Sequence, residues 1–175
     1  DRTVAVRVGP DDVRVKYTLE VTLFTIFLDG AKLFTADEIA KLDKTPRGFV
    51  LAYAKKVAPE IARDLRATSD GKRFTFALDK LGIEAGEHPR FRFEFKAAWP
   101  PGPATRAFAF DDDTFADKPG VLGLTLDPSG TRDTGVTIAD VVEPDPRWRD
   151  RPAIDLTPEQ ALALRKAAGT VTLPR

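Results

Sequence analysis

Three consecutive aspartates, Asp111, Asp112 and Asp113, form the densest group of potential metal ligands in the sequence, and Asp117 follows them closely. Adjacent carboxylates on a loop can turn towards one hard cation such as calcium. Aspartates also cap turns in solvated loops without binding an ion. The segment offers no bidentate glutamate. We therefore expect no metal at these weak candidates, or at best a site of about millimolar affinity.

Hydrolytic chemistry would need a nucleophile, a base and an orienting group that converge in space. The two serines, Ser69 and Ser129, lie in turn sequences and outside any G-x-S-x-G elbow. The single histidine, His88, stands in a Gly-Glu-His-Pro segment typical of a loop. We predict no catalytic residues and no enzyme activity. The alternative is a small carboxylate-dependent hydrolase, because a catalytic pair of carboxylates about 5 to 10 Å apart is set by the fold.

The composition excludes several other classes of function. Lysine and arginine (27) balance aspartate and glutamate (27), so no long-range field attracts nucleic acid, and we predict no nucleic-acid partner. The chain has no cysteine, which excludes disulfides, thiolate catalysis and cysteine-type zinc sites. It has no glycine-rich phosphate loop, so no cofactor is predicted.

Two tryptophans are candidate interaction residues. Trp99 precedes a Pro-Pro-Gly-Pro segment, where it can present an aromatic platform to a sugar or partner, or close the end of the core. Trp148 lies between Arg147 and Arg149, an arrangement suited to anchoring the surrounding Pro/Asp-rich arm. The structural role is the commoner one for both tryptophans.

Alternating apolar residues predict a mainly β fold. The pattern from Val13 to Leu23 indicates a long strand with one buried face, and similar patterns recur along the chain. We expect an antiparallel β-sandwich of immunoglobulin-like size, with strands near 3–8, 13–24, 73–78, 90–98, 106–110, 121–126 and 136–142. The predicted core includes Val15, Tyr17, Leu19, Phe74, Phe76, Phe91, Phe93 and Phe95.

Helical spacing interrupts this pattern twice. A capping box at Thr35 predicts a helix over 35–43, and apolar residues at three- and four-residue spacing predict another over 47–67, which Pro59 should kink or split. The domain is therefore predicted as a sandwich over 1–142 with a helical insertion at about 35–67. Residues 143–175 are expected to form an extended arm and a C-terminal helix from Thr157 to Ala168, dispensable for the sandwich.

Four short patterns follow one another along the chain: V-x-V-x-Y-x-L over 13–19, A-R-D-L over 62–65, D-G-x-x-F over 70–74, and R-x-F-x-F-D with an acidic loop over 106–115. Their order resembles the extracytoplasmic domains that precede the membrane helices in bacterial transporters of the hydrogenase/urease-accessory (nickel/cobalt) group. The resemblance implies a periplasmic or extracellular location and attachment to a membrane. It carries no metal-ligand residues over to this chain.

These observations favour a non-catalytic extracytoplasmic domain that serves interaction, sensing or assembly in a larger, membrane-tethered bacterial protein. The expected partner is another protein or a flanking membrane segment of the same chain. Direct membrane insertion is not expected, because no run approaches the roughly 18 apolar residues that span a bilayer. The chain begins at Asp1 and has no methionine, from which we expect a processed or excised chain.

Overall fold

The computed structural model of the chain describes residues 1–42, 45–115, 120–127, 131–149 and 151–174. Two five-stranded sheets enclose a common core, as the alternating sequence predicts. A helical segment follows the second strand, and a short helix precedes the last strand. The strands are β1 (Arg2–Val8), β2 (Asp12–Glu20), β3 (Leu65–Ser69), β4 (Lys72–Arg73), β5 (Ala77–Glu84), β6 (Arg90–Ala98), β7 (Thr105–Asp112), β8 (Leu122–Asp127), β9 (Thr137–Val142) and β10 (Lys166–Thr172). The α-helices are α1 (Leu23–Leu33), α2 (Ala36–Lys41), α3 (Pro46–Asp64) and α4 (Pro158–Ala163).

The strand order is β5-β6-β2-β1-β8 in the first sheet and β4-β3-β7-β10-β9 in the second. The expectation of a purely antiparallel sandwich is wrong at one position, because β1 and β8 pair in parallel. They lie far apart in the chain, so no tight hairpin turn dictates an antiparallel pairing.

The predicted buried face of the first sheet is confirmed. The register of β2 and β6 places Val15 opposite Phe95 and Tyr17 opposite Phe93. The eight predicted core residues are all buried: Val15, Tyr17, Leu19, Phe74, Phe76, Phe91, Phe93 and Phe95. Alternation was therefore a sufficient guide to the inward face of these strands.

The helical segment begins earlier than predicted. Residues 23–24 were expected to end a strand, but α1 starts at Leu23, where the Thr22 side chain caps the helix by accepting from the Thr25 N–H at 3.1 Å. The β2–β6 ladder ends at Glu20 and Arg90. The preceding Pro89 has no N–H to extend the ladder. The insertion therefore spans 23–64 rather than about 35–67.

Helix α3 differs from the predicted helix over 47–67 at Pro59 and at its C-terminal end. It runs unbroken from Pro46 to Asp64, so Pro59 does not split it. Tyr53, Val57 and Ile61 are buried on one face, and this packing holds the helix on both sides of the proline. The last predicted helical residues instead open β3, which pairs with β7.

The strand predicted over 73–78 is divided between the two sheets. Strand β4 pairs with β3 across the turn Asp70-Gly71, whose φ angles of 47° and 77° are both left-handed. The chain then crosses to the first sheet, where β5 forms its outer edge. Phe74 and Phe76 lie in the crossing and fill the core.

The C-terminal segment differs most from its predicted form. The capping box of Thr157 and Gln160 is present, but the helix ends at Ala163 rather than Ala168. Residues 166–172 form β10, which lies between β7 and β9. The 143–175 segment thus completes the second sheet and is not an appendage to it.

Gly169 marks an irregularity in β10 rather than the end of a helix. The register of β10 against β9 shifts between Ala168 and Thr170. A Cβ atom at position 169 would lie 2.9 Å from Cγ2 of Ile138 and 3.1 Å from the carbonyl oxygen of Ala139. Glycine is therefore required by close backbone approach at a bulge.

Candidate functional site

The three candidate metal ligands do not form one cluster. Asp112, on β7, points into the core, whereas Asp111 and Asp113 lie on the outer side near basic residues. Asp113 contacts Arg66 at 2.8 Å, and Asp111 lies 3.9 Å from Lys166. In the described parts of the chain, no three histidine or acidic side chains are placed to hold a metal ion.

Asp112 belongs to a buried polar cluster that joins the two sheets. Its Oδ1 accepts from the Thr114 hydroxyl at 2.5 Å and from the Thr114 N–H at 3.0 Å. The Thr114 hydroxyl also lies 2.6 Å from the hydroxyl of Tyr17. Arg2 and Arg165 donate to backbone carbonyls around the same turn. The available signal for the burial of Asp112 was alternation, because it follows Phe108 and Phe110 at every second position of β7.

Burial governs the electrostatics of this cluster. Desolvation raises the pKa of Asp112 despite the nearby Arg2 and Arg165, and it raises the pKa of Tyr17 as well. Asp112 is fully buried, and no hydrogen-bond partner of its Oδ2 lies among the described residues. The hydrogen bonds between Tyr17, Thr114 and Asp112 connect the two sheets. The Asp112 carboxyl group is inaccessible to solvent, so a substrate cannot contact it.

Trp99 closes the core. Its ring packs edge-on against Phe74 and Phe108 at centroid distances of 5.1 and 6.0 Å. Its indole N–H donates to the Gly9 carbonyl at 2.9 Å, and the Arg106 guanidinium covers the ring at 5.3 Å. Trp99 is half-buried against the core, which corresponds to the structural alternative.

Trp148 ends a short 3-10 helix, Pro146–Trp148, in the arm after β9. It is half-buried. Its neighbours are engaged within the arm, since Arg147 pairs with Asp145 at 2.5 Å and Arg149 with Glu143 at 3.4 Å. These ion pairs lie within the arm itself, so anchoring of the arm on the body of the domain through Trp148 stays a prediction.

The serine and histidine candidates are not brought together. Ser69 is buried in β3, and Ser129 lies outside the described residues. His88 is exposed, and it lines a cleft of about 470 Å³ together with Glu20, Asp29 and Tyr53. We call these four residues the end cleft.

The end cleft holds several titratable groups. The Tyr53 hydroxyl donates to Asp29 at 3.4 Å, and burial beside that carboxylate raises the pKa of Tyr53. Arg90 donates twice to Glu20, at 2.7 and 3.0 Å, and thereby lowers the pKa of Glu20. Glu20 is consequently held as a carboxylate paired with Arg90.

A second candidate site is the outward face of α1, formed by Phe24, Phe27 and Leu28. Their side chains are 71%, 52% and 51% exposed. Positions i, i+3 and i+4 are neighbours on one helix face, so the three form one apolar surface. Ile26 and Gly30 on the opposite face are buried, which leaves α1 apolar on both sides. We call the three exposed residues the α1 face.

Aromatic stacking supports the α1 face from behind. The rings of Phe27 and Phe49 stack with centroids 4.9 Å apart, and Phe34 lies 5.8 Å from Phe49 on its other side. A Cβ atom at Gly30 would lie 2.6 Å from the Phe49 ring, so the glycine permits this close approach. The α1 face is therefore presented on a packed support.

The outer surface of the first sheet has the opposite character. Its charged side chains are joined across strands in ion pairs: Arg14–Glu94 at 3.1 Å, Lys96–Asp12 at 3.2 Å, Arg90–Glu20 at 2.7 Å and Arg92–Glu84 at 2.6 Å. Such a compensated surface is typical of a solvated sheet. The exposed apolar surface of the α1 face thus stands apart from the sheet surface.

Sequence reasoning missed the α1 face, because the second strand was predicted to continue to residue 24 and no helix was predicted before residue 35. The Thr22 cap and the three- and four-residue spacing of Leu23, Ile26, Phe27 and Gly30 were the available signals. Within the described ranges, no helix has the length and apolar character needed to cross a membrane.

Comparison of the chain with family models, curated proteins and solved structures gives no match.

Proposed function

We propose that this chain is a non-catalytic interaction domain that docks onto a protein partner through the α1 face, within a larger extracytoplasmic and membrane-tethered protein. The exposure of Phe24, Phe27 and Leu28 on one helix carries the proposal. Contiguous exposed apolar surface on a folded domain marks interaction sites. Because α1 is apolar on two sides, covering the α1 face with a further surface would bury the second of them.

The energetics agree with a docking role. Complete burial of one Phe or Leu side chain is worth about 1.5–3 kcal/mol. The α1 face therefore offers on the order of a few kcal/mol to a complementary surface, and its aromatic residues suit the centre of an interface. Stacking on Phe49 limits the entropy that Phe27 would lose on binding.

A protein partner fits this surface better than a charged polymer. The chain has zero formal net charge, so binding gains little from long-range attraction. The extracytoplasmic and membrane-tethered setting is supported by the resemblance of the chain layout over 13–126 alone.

The proposal is tested by the size of the complex that the protein forms in cells of its native source. After gentle solubilisation, native electrophoresis should place the wild-type chain in a larger complex and the Phe24→Ser/Phe27→Ser variant in a smaller species. Val142→Ser is the matched control, because it removes a side chain that is 64% exposed on β9. Equal complex sizes for all three proteins would contradict the proposal.

The end cleft favours one second candidate, the carboxylate-dependent hydrolase. Glu20, Asp29 and His88 line one cavity there, which is the convergence that a hydrolase requires. Turnover of an ester or glycoside panel, lost in Asp29→Asn with the fold retained, would establish this candidate. Absence of turnover by the wild-type chain on the whole panel would contradict it.

A further inference from the structure

Two apolar grooves follow one another along α3. The first, of about 690 Å³, lies between Val50 and Leu51 of the helix and Leu81 and Ile83 of β5. The second, of about 680 Å³, lies between the later part of the helix and the start of β5, where it is lined by Ala58, Ala62 and Leu78 among others. Helix α3 forms one wall of both grooves, and the opposite wall runs from residues 73–76, at the end of β4 and in the crossing, into β5. We call the two grooves together the α3–β5 trench.

Strand β5 brings unpaired backbone to this trench. Among the described strands it is the edge of the first sheet and pairs with β6 alone. An edge strand presents N–H and C=O groups that can pair with an added strand. Leu78, Leu81 and Ile83 stand opposite the core residues Phe95, Phe93 and Phe91 of β6, so they share the face that α3 covers.

The charged residues that line the trench are all basic. Arg47, Lys55, Arg63 and Arg73 are the charged residues among those described as lining the two grooves, and no carboxylate is among them. Arg63 is compensated by Asp64 at 2.9 Å. Arg47 and Lys55 contact no carboxylate in the described part of the chain. On the helix they flank the exposed Leu51 at four-residue spacing.

We propose that the α3–β5 trench binds an extended peptide segment that adds to β5 as a further strand, with apolar residues at alternate positions and a net acidic charge. Main-chain pairing to an edge strand supplies affinity, and side-chain pockets supply specificity in this mode of recognition. The apolar walls select the alternate apolar residues, and Arg47 and Lys55 select the carboxylates. This inference rests on the proposed interaction function and gives the chemistry of a second contact.

The probe is a displayed library of random dodecapeptides selected on the full chain, with counter-selection on the Arg47→Glu/Lys55→Glu variant. Selected sequences should be enriched in Asp and Glu and in alternating apolar residues. A synthetic copy of one such sequence should bind the charge-reversed variant about tenfold more weakly than wild type. It should also slow amide hydrogen exchange over 77–84 by at least about fivefold, because the β5 edge becomes paired.

The matched control is Lys16→Glu/Lys41→Glu, which makes the same change of charge at exposed positions outside the trench. It should bind the peptide as wild type does. Failure to select any peptide, equal binding to the Arg47→Glu/Lys55→Glu variant, or protection that spares 77–84 would overturn the inference.

The outcome is separable from that of the proposed function. The Phe24→Ser/Phe27→Ser variant keeps the trench and should bind the selected peptide normally. If that variant loses its cellular complex while no peptide is selected on the trench, the trench inference fails alone. If the peptide binds as described while the α1 face variants keep their complex, the proposed docking surface fails alone.

Discussion

The ring of Phe27 on α1 stacks on the ring of Phe49 on α3 with 4.9 Å between centroids, and about half of the Phe27 side chain, 52%, faces solvent. Phe27 thus has a packed side and an open side. Phe24, one turn earlier, is 71% exposed and has no aromatic contact in the described part of the chain. The two phenylalanines should therefore respond differently to substitution.

We expect Phe24→Ser to change the free energy of unfolding by less than about 1 kcal/mol, because it removes little packing and serine has a similar helix propensity. Phe27→Ser should cost about 1–2 kcal/mol more, because it removes a stacked aromatic pair and part of a buried surface. Urea denaturation of the purified proteins measures both. Equal losses of unfolding free energy in the two variants would show that Phe27 is not packed more closely than Phe24.

Removal of residues 153–175 should abolish cooperative folding, contrary to the sequence-based expectation that this segment is dispensable. The deletion takes β10 from between β7 and β9, so β9 loses its ladder to β10 and β7 keeps its pairing with β3 alone among the described strands. Circular dichroism and thermal melting test this, with removal of residues 174–175 as the control that keeps β10. A truncated chain that retains the strand signal and melts cooperatively would contradict the placement of β10.

Asp112 should make stability decrease as pH rises. Burial raises its pKa in the folded chain above the ordinary value of 3.8, although Arg2 and Arg165 act in the opposite direction. Between these two values the folded chain binds more protons than the unfolded chain, so the free energy of unfolding falls with rising pH. Asp112→Asn removes this contribution, so its stability relative to wild type should increase as the pH rises above about 4.

Urea denaturation of both proteins at several pH values tests the Asp112 prediction. The comparison with Asp112→Asn is needed because ion-paired carboxylates such as Glu20, whose pKa is lowered, contribute the opposite slope. A stability difference that stays constant with pH, or that decreases, would show that Asp112 is not held in a desolvated state.

Calcium should give no heat of binding at micromolar concentration. Asp112 points into the core, away from Asp111 and Asp113, and those two lie near Lys166 and Arg66. A tight calcium site needs several convergent oxygen ligands, which this geometry does not provide. A micromolar calorimetric signal that Asp111→Ala or Asp113→Ala abolishes would refute this prediction.

Local patterns predicted the parts of the fold that depend on local chemistry. The alternation in Arg90–Ala98 predicted β6 with its correct ends, and the Thr35 hydroxyl and Glu38 carboxylate form the predicted capping box. These features were readable because neighbouring residues determine them.

The missed elements depend on distant partners. The sequence of β10 resembles the end of an alanine-rich helix. It forms a strand because β7 and β9 pair with it on either side. The α1 face was not predicted, for a related reason. Leu23 continues the alternation of β2, so the strand pattern extends past Glu20, where the β2–β6 ladder ends.

Site-specific photo-crosslinking in cells of the native source tests the central claim most directly. Benzoylphenylalanine in place of Phe24 on the α1 face is compared with the same residue in place of Lys16, which is exposed on β2. The proposal predicts one defined crosslink from position 24 to another protein, absent from position 16 and lost when Phe27→Ser is added. The same products from both positions, no product from position 24, or a product that contains only a second copy of this chain would contradict it.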